Sequence, residues 1–194
     1  MADVFIGDNP RLEAVCEDKG SDICAVITHP HSLMGGDMNN NVVMTAWNTV
    51  LEQGCSALRF NFRGVGRSRG RFDEGIGETA DLAAAVQFAG RPVVVIGYSF
   101  GSWVASRYLE EADVPCVFIS PPTALFPFPS LRGRKVWSIT GSFDQFCDVN
   151  ALEKVQDKER ITVVQGVDHF WFGGESRLRP YLETTVSLIR SASF

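Results

Sequence analysis

The sequence is short of the features that direct a chain to a membrane, a nucleic acid or a metal. No apolar run approaches the ~20 residues needed to span a bilayer. The opening Met1-Ala2-Asp3-Val4-Phe5 lacks the basic and long apolar regions of a secretory leader. Positive charge is in deficit: 18 Lys and Arg against 23 Asp and Glu give a net charge of −5. That balance removes the electrostatic attraction for nucleic acid or an anionic bilayer, so neither is expected as a partner. Cysteine is sparse and odd in number, with Cys16, Cys24, Cys55, Cys116 and Cys147 showing no metal-ligand spacing. Cys24 and Cys116 fall inside apolar runs, where a thiol behaves as a small hydrophobe. A reduced, cytoplasmic setting is expected. Histidine is scarcer still, at three residues. His29 and His31 are two apart but have no recognisable third ligand, so no metal and no other cofactor is expected.

What is present suits a globular chain. Hydrophobic residues make up 45% of the 194 and charged residues 21%, and one domain over residues 1–194 is expected. Apolar runs bounded by turn residues alternate with segments of helical period. Strands are expected over 22–28, 56–62, 93–96, 114–119, 135–140 and 161–165, and helices over 41–53, 78–88, 99–111, 149–158 and 178–189. Ahead of them, residues 4–17 read as an antiparallel hairpin turning at Gly7-Asp8-Asn9-Pro10. Near-continuous apolar strands between amphipathic helices predict an α/β fold: a three-layer αβα sandwich around a mostly parallel, doubly wound sheet. Residues 120–134, with Pro121, Pro122, Phe126, Pro127, Phe128 and Pro129, break the rhythm. They are too few for a second domain and are expected to form a rim or flap. Arg59, Arg63, Arg67, Arg69 and Arg71 cluster about the Gly64 and Gly66 turn and read as a solvated turn rather than an anion-binding patch.

One motif carries chemistry. Gly97-Tyr98-Ser99-Phe100-Gly101 follows an apolar strand and opens a helix. A serine at such a sharp strand-to-helix turn exposes its hydroxyl, and the helix N-terminus behind it favours a developing oxyanion. As a bare pentapeptide the motif arises readily by chance; its placement and its partners give it weight. A serine nucleophile needs a base, and the base needs an orienting acid. His169 follows the last expected strand, and Asp144 follows the strand before it, so Ser99, Asp144 and His169 arrive in the order of a hydrolase triad. Asp148 competes with Asp144 but suits a helix cap better, and Asp168 adjoins His169 too closely to face it. Cys147 lacks the helix N-terminus that would activate a thiol. The amide of Phe100 should supply one oxyanion donor and the loop after the first apolar strand the other. Pro30 has no N–H, which leaves His31 or Ser32. Tyr98, Phe126, Phe128, Phe170 and Trp171 are expected to form an apolar substrate-binding rim.

These segments together resemble the α/β-hydrolase superfamily over nearly the whole chain. The resemblance rests on His29-Pro30-His31 with Gly35-Gly36, Arg59 to Ser68, Gly75-Ile76-Gly77-Glu78 with Asp81, the serine motif, Gly141 to Asp144, and Asp168-His169-Phe170. It is nearest the small lidless branch that includes dienelactone-hydrolase-like and serine-aminopeptidase-like proteins. Dienelactone hydrolases proper use cysteine where this chain has Ser99, the glycine-rich oxyanion signature of lipases is absent, and the span where many relatives insert a cap is short. The resemblance implies ester, thioester or amide hydrolysis without a cofactor. The expected substrate is a small carboxylic ester or thioester. An amidase or peptidase of the same fold, or a non-catalytic interaction protein retaining it, are the alternatives. Oligomeric state, acyl length and natural substrate have no signature in the sequence.

Overall fold

A computed structural model describes residues 1–192; Ser193 and Phe194, part of the expected domain span, lie outside the described residues. Eight strands form one sheet: β1 (Ala2–Ile6), β2 (Leu12–Glu17), β3 (Cys24–Thr28), β4 (Ser56–Phe60), β5 (Val93–Tyr98), β6 (Cys116–Ile119), β7 (Val136–Phe143) and β8 (Ile161–Asp168). The helices are α1 (Asn41–Glu52), α2 (Ile76–Ala89), α3 (Phe100–Tyr108), α4 (Val149–Val155) and α5 (Glu175–Ala192). The strand order is β1-β2-β4-β3-β5-β6-β7-β8. The β1–β2 and β2–β4 pairs are antiparallel, as the expected hairpin requires, and every later pair is parallel. This is the α/β-hydrolase architecture without a cap.

Alternation along the central strands sends side chains to two cores. Val94, Ile96 and Tyr98 of β5 join Val42, Ala46, Trp47 and Val50 of α1 and Leu178, Leu182 and Val186 of α5 on one face. Val93 and Val95 join Leu82 and Ala85 of α2 and Val104 and Ala105 of α3 on the other. A strand buried on both faces needs apolar residues at consecutive positions, which is why β5 reads as an unbroken apolar run. The α1 helix opens where Asn40 accepts a 2.9 Å bond from the Val42 amide. The α2 helix opens two residues ahead of expectation because the Glu78 carboxylate reaches back to the Gly75 and Asp73 amides, at 2.8 and 2.9 Å.

The chain reverses its direction of travel across the sheet at β3, whose neighbours are β4 and β5. The carboxyl ends of β3 and β5 therefore flank a topological switch point, where open α/β sheets bind ligands. At the far edge, β7 and β8 run about a turn longer than periodicity suggests. Their pairing continues past an irregularity to Phe143 opposite Asp168. Asp144 and His169, the next residue of each strand, are thus delivered side by side.

The arginine cluster departs from expectation. Arg59 is buried on β4, its guanidinium 5.1 Å from the Trp47 ring centroid and bonded to the Met38 carbonyl at 2.9 Å. Arg63 forks onto the buried Asp81 carboxylate, with one contact at 2.7 Å. Arg67 reaches Glu13 at 2.7 Å. These three pin the segment after β4 to its neighbours, whereas Arg69 and Arg71 are exposed as a solvated turn requires. An isolated charge such as Asp81 could not be buried without a bidentate partner, and Arg63 supplies it. Among the described residues, no helix is long and apolar enough to cross a membrane.

Candidate active site

Ser99 sits between β5 and α3 at φ 52° and ψ −121°. An L-residue held there costs about 1–3 kcal/mol, so its surroundings must over-determine it. Its amide donates to the Ile119 carbonyl at the end of β6, at 2.9 Å. Its carbonyl accepts from the Ser102 amide at 2.8 Å and the Ser102 hydroxyl at 2.6 Å. The flanking glycines permit that turn without carrying its strain. The strain lies on Ser99 itself, and Gly97 and Gly101 are needed for close approach. A Cβ at Gly97 would stand 2.7 Å from the Ser102 Cα, and one at Gly101 would stand 2.4 Å from the Thr28 hydroxyl and 2.7 Å from the His29 carbonyl.

The His169 ring lies between the other two expected partners. Its Nε2 is 2.9 Å from the Ser99 Oγ and its Nδ1 is 2.8 Å from the Asp144 Oδ1. All three residues are under a tenth exposed. Asp144 also accepts the amides of Phe146 and Cys147 at 3.0 and 3.1 Å, and the Thr140 hydroxyl at 3.0 Å. Burial pushes its carboxyl upward, but bonds from His169, Ser120 and the Phe146 amide outweigh it and hold the group below its usual value. The competing aspartates are engaged elsewhere. Asp148 caps α4 through the Ala151 amide at 3.1 Å, and Asp168 turns back to the amides of Phe170 and Trp171 at 3.0 and 3.1 Å.

The amides of Phe100, His31 and Ser32 have no acceptor among the described residues. Phe100 lies in the first turn of α3, where amides have no intrahelical partner. The loop after β3 runs alongside, with the His31 and Phe100 rings 4.8 Å apart.

With this geometry in place, the comparisons with known proteins decide the family. The sequence profile of the alpha/beta hydrolase family matches residues 31–184. The chain belongs to that family. A protein from Rickettsia prowazekii (strain Madrid E), itself uncharacterized, is 35% identical, the match covering 76% of this chain and 71% of the relative. A structure from Agrobacterium tumefaciens, a protein of unknown function assigned to the alpha/beta hydrolases, superposes with a TM-score of 0.86 at 30% identity. The overlap covers 99% of this chain and 98% of that one. A lidless α/β serine hydrolase from Xanthomonas campestris superposes with a TM-score of 0.83 at 27% identity, over 96% of this chain and 93% of that one. This alpha/beta hydrolase is accordingly an enzyme of the hydrolase type.

The hydrolase uses its aromatic residues differently from the expected rim. Tyr98 is buried, and its hydroxyl donates to the His169 carbonyl at 3.0 Å. Burial raises its pKa far above the ordinary phenol value, so it remains a donor at any working pH. Trp171 is wholly buried at φ 59°, its indole N–H donating to the Ser120 hydroxyl at 2.9 Å. Both brace the His169 loop from beneath. Phe128 packs against Phe118 at 6.2 Å as part of the lower core. Phe126 and Phe170 stay near the surface: Phe170 meets the His169 ring edge-on at 5.6 Å, and Phe126 stacks on Trp103 at 4.5 Å. Tyr98 and Trp171 thus lie beneath the expected rim and not in it, because burying a large ring gains more than exposing it.

Other residues do what the sequence reading did not foresee. Phe146 packs edge-on against His169 at 4.8 Å, and Phe72, Glu74 and Trp103 join His31, Phe100 and Phe126 around a cleft of about 350 Å³. Phe146 sits two residues from Asp144, a proximity that could have flagged it. Phe72 and Glu74 come from a distant loop and carried no such signal. His29 is a core residue: its Nδ1 donates to the Pro30 carbonyl at 2.7 Å and its Nε2 accepts from the Phe62 amide at 3.0 Å. Burial lowers its pKa to about 4, and with both nitrogens engaged it has no lone pair for a metal. Burial pushes the Cys147 thiol up to about 11, which makes it a poor nucleophile.

Proposed function

We propose that the hydrolase cleaves a small carboxylic ester or thioester by way of an acyl-enzyme on Ser99. The observation that carries this reading is the unbroken line from Ser99 Oγ through both nitrogens of His169 to Asp144, at 2.9 and 2.8 Å. His169 Nε2 takes the serine proton as Oγ attacks the carbonyl carbon, and Asp144 stabilises the imidazolium that forms. The carbonyl oxygen becomes an oxyanion directed at the Phe100 amide and at that of His31 or Ser32. Collapse breaks the bond to the alcohol or thiol, which leaves with the proton returned by His169. Water then attacks the acyl-enzyme with His169 as base again, and the acid departs, leaving Ser99 protonated. The cycle consumes one water and needs no other reactant. The absence of a cap, and a cleft of about 350 Å³, favour short acyl groups over long chains.

A fluorophosphonate probe tests the reading directly. The expected adduct is on Ser99 in the folded protein, with turnover of a short ester and thioester panel lost in Ser99→Ala. Equal turnover by wild type and that variant would end the proposal.

A further inference from the structure

The cleft beside Ser99 has a direction and a chemistry that narrow the substrate class, an inference that rests on the proposed triad. Two of its wall residues, Phe100 and His31, carry backbone amides proposed for the oxyanion, with Ser32 the alternative to His31. None of its lining residues is among the aromatic neighbours of the His169 ring, which are Tyr98, Phe146 and Phe170. The leaving oxygen or sulfur must be reached by His169 Nε2, so the leaving group exits on the Phe146 and Phe170 side. The part of the substrate that stays on Ser99 then lies toward Phe100 and His31, in the cleft.

The walls are rings. Phe72 and Phe100 lie 5.7 Å apart at 46°, Trp103 and Phe126 4.5 Å apart at 26°, and His31 lies 4.9 Å from Phe72. A planar ring meets such walls by face and edge, gaining quadrupole contacts that a methylene chain cannot make. A volume of about 350 Å³ is at the small end of the roughly 300–1,000 Å³ usual for ligand sites. That is ample for one ring, and the selection between ring and chain falls to the aromatic walls.

At the lip stands Glu74, exposed and at φ 51°. The residue after it, Gly75, is pressed on the Trp103 indole so closely that a Cβ there would stand 2.4 Å from the ring. The Glu78 carboxylate, bonded to the Asp73 and Gly75 amides on either side, holds Glu74 in that conformation at the edge of the cleft. Among the described residues, no basic side chain pairs with the Glu74 carboxylate. An ionised carboxylate only accepts hydrogen bonds, so it favours a donor on the bound group and repels an anion. We propose that this cleft is the acyl subsite of the hydrolase, that it takes a planar aromatic acyl group, and that Glu74 selects a hydrogen-bond donor at the group's far end.

The test compares ethyl esters of benzoate, 4-hydroxybenzoate, 4-carboxybenzoate, butyrate and octanoate at pH 7, each kcat/KM divided by the ester's own hydroxide-catalysed rate. The expected order places 4-hydroxybenzoate first and 4-carboxybenzoate below benzoate, with benzoate about tenfold above butyrate. Phe126→Ala should lower the benzoate-to-butyrate ratio by about fivefold. Glu74→Gly, which suits the existing backbone, should erase the preference for hydroxyl over carboxylate. Ratios unchanged in both variants, or octanoate preferred to benzoate, would overturn the subsite. Ser99 labelling with butyrate turnover but no ring preference would overturn the subsite alone. No label and no turnover of any ester would overturn the triad reading and the subsite with it.

Discussion

His29 and His169 are both buried, at 0% and 5% exposure, and both have each ring nitrogen in a hydrogen bond. They stand on either side of the switch point, one at the end of β3 and one beyond β8. His29 is held between a backbone carbonyl and a backbone amide, groups that neither give up nor accept a proton. Burial therefore keeps it neutral, with a pKa near 4. His169 lies between a carboxylate and a hydroxyl, the setting in which the proposed mechanism would have it move a proton.

The largest test of that contrast is kinetic. His169→Ala should lower kcat for a short ester by about 10⁶-fold and Asp144→Asn by about 10⁴-fold, with far-UV circular dichroism unchanged. Retention of more than a hundredth of wild-type turnover by His169→Ala would break the comparison. The next effect is on stability. Because the folded pKa of His29 lies below the unfolded value, the unfolded state binds the proton more readily and acid opposes folding. The contribution is fully present above about pH 6.5 and is lost as pH falls toward 4. It amounts to about 3 kcal/mol, read from urea unfolding at successive pH values. His29→Phe should remove that slope. It should also cost about 2 kcal/mol at pH 7, because the Phe62 amide loses its acceptor.

A smaller effect concerns the brace beneath His169. Trp171→Phe removes the indole donor to Ser120 and should cost about 1 kcal/mol in thermal or urea unfolding. If the brace positions His169, kcat should fall severalfold while KM for the same ester holds; a loss of stability with kcat unchanged would make Trp171 a packing residue only. The third histidine supplies the smallest test. The His31 ring accepts the Leu33 amide at 3.3 Å, and asparagine can do the same. His31→Asn should shift unfolding by less than about 1 kcal/mol, since asparagine keeps the bond from the Leu33 amide.

Much of this was legible in advance, for identifiable reasons. Strands buried on both faces must be apolar throughout, so β3, β5 and β6 stood out as runs, and the chain order Ser99, Asp144, His169 follows from the succession of strands. The ends of β7 and β8 were not legible, because their extra length comes from pairing with each other and not from local propensity. The aromatic residues were assigned to the rim, yet Tyr98 and Trp171 lie beneath the site. Sequence period cannot say which side of a loop faces inward. Arg59 misled in the same way: it is buried against Trp47, a partner 12 residues away in the chain.

By itself, the sequence determined that strands and helices alternate, that Ser99 sits where a strand turns into a helix, and that Asp144 and His169 follow in order. Those are local patterns, set by apolar spacing and by the steric demands of a tight turn. Only the tertiary structure decided that His169 touches both Ser99 and Asp144, that Glu74 and Phe72 meet Phe100 across a cleft, and that His29 is inert. Each depends on a pairing between distant segments, and no local propensity specifies what stands on the other side of a contact.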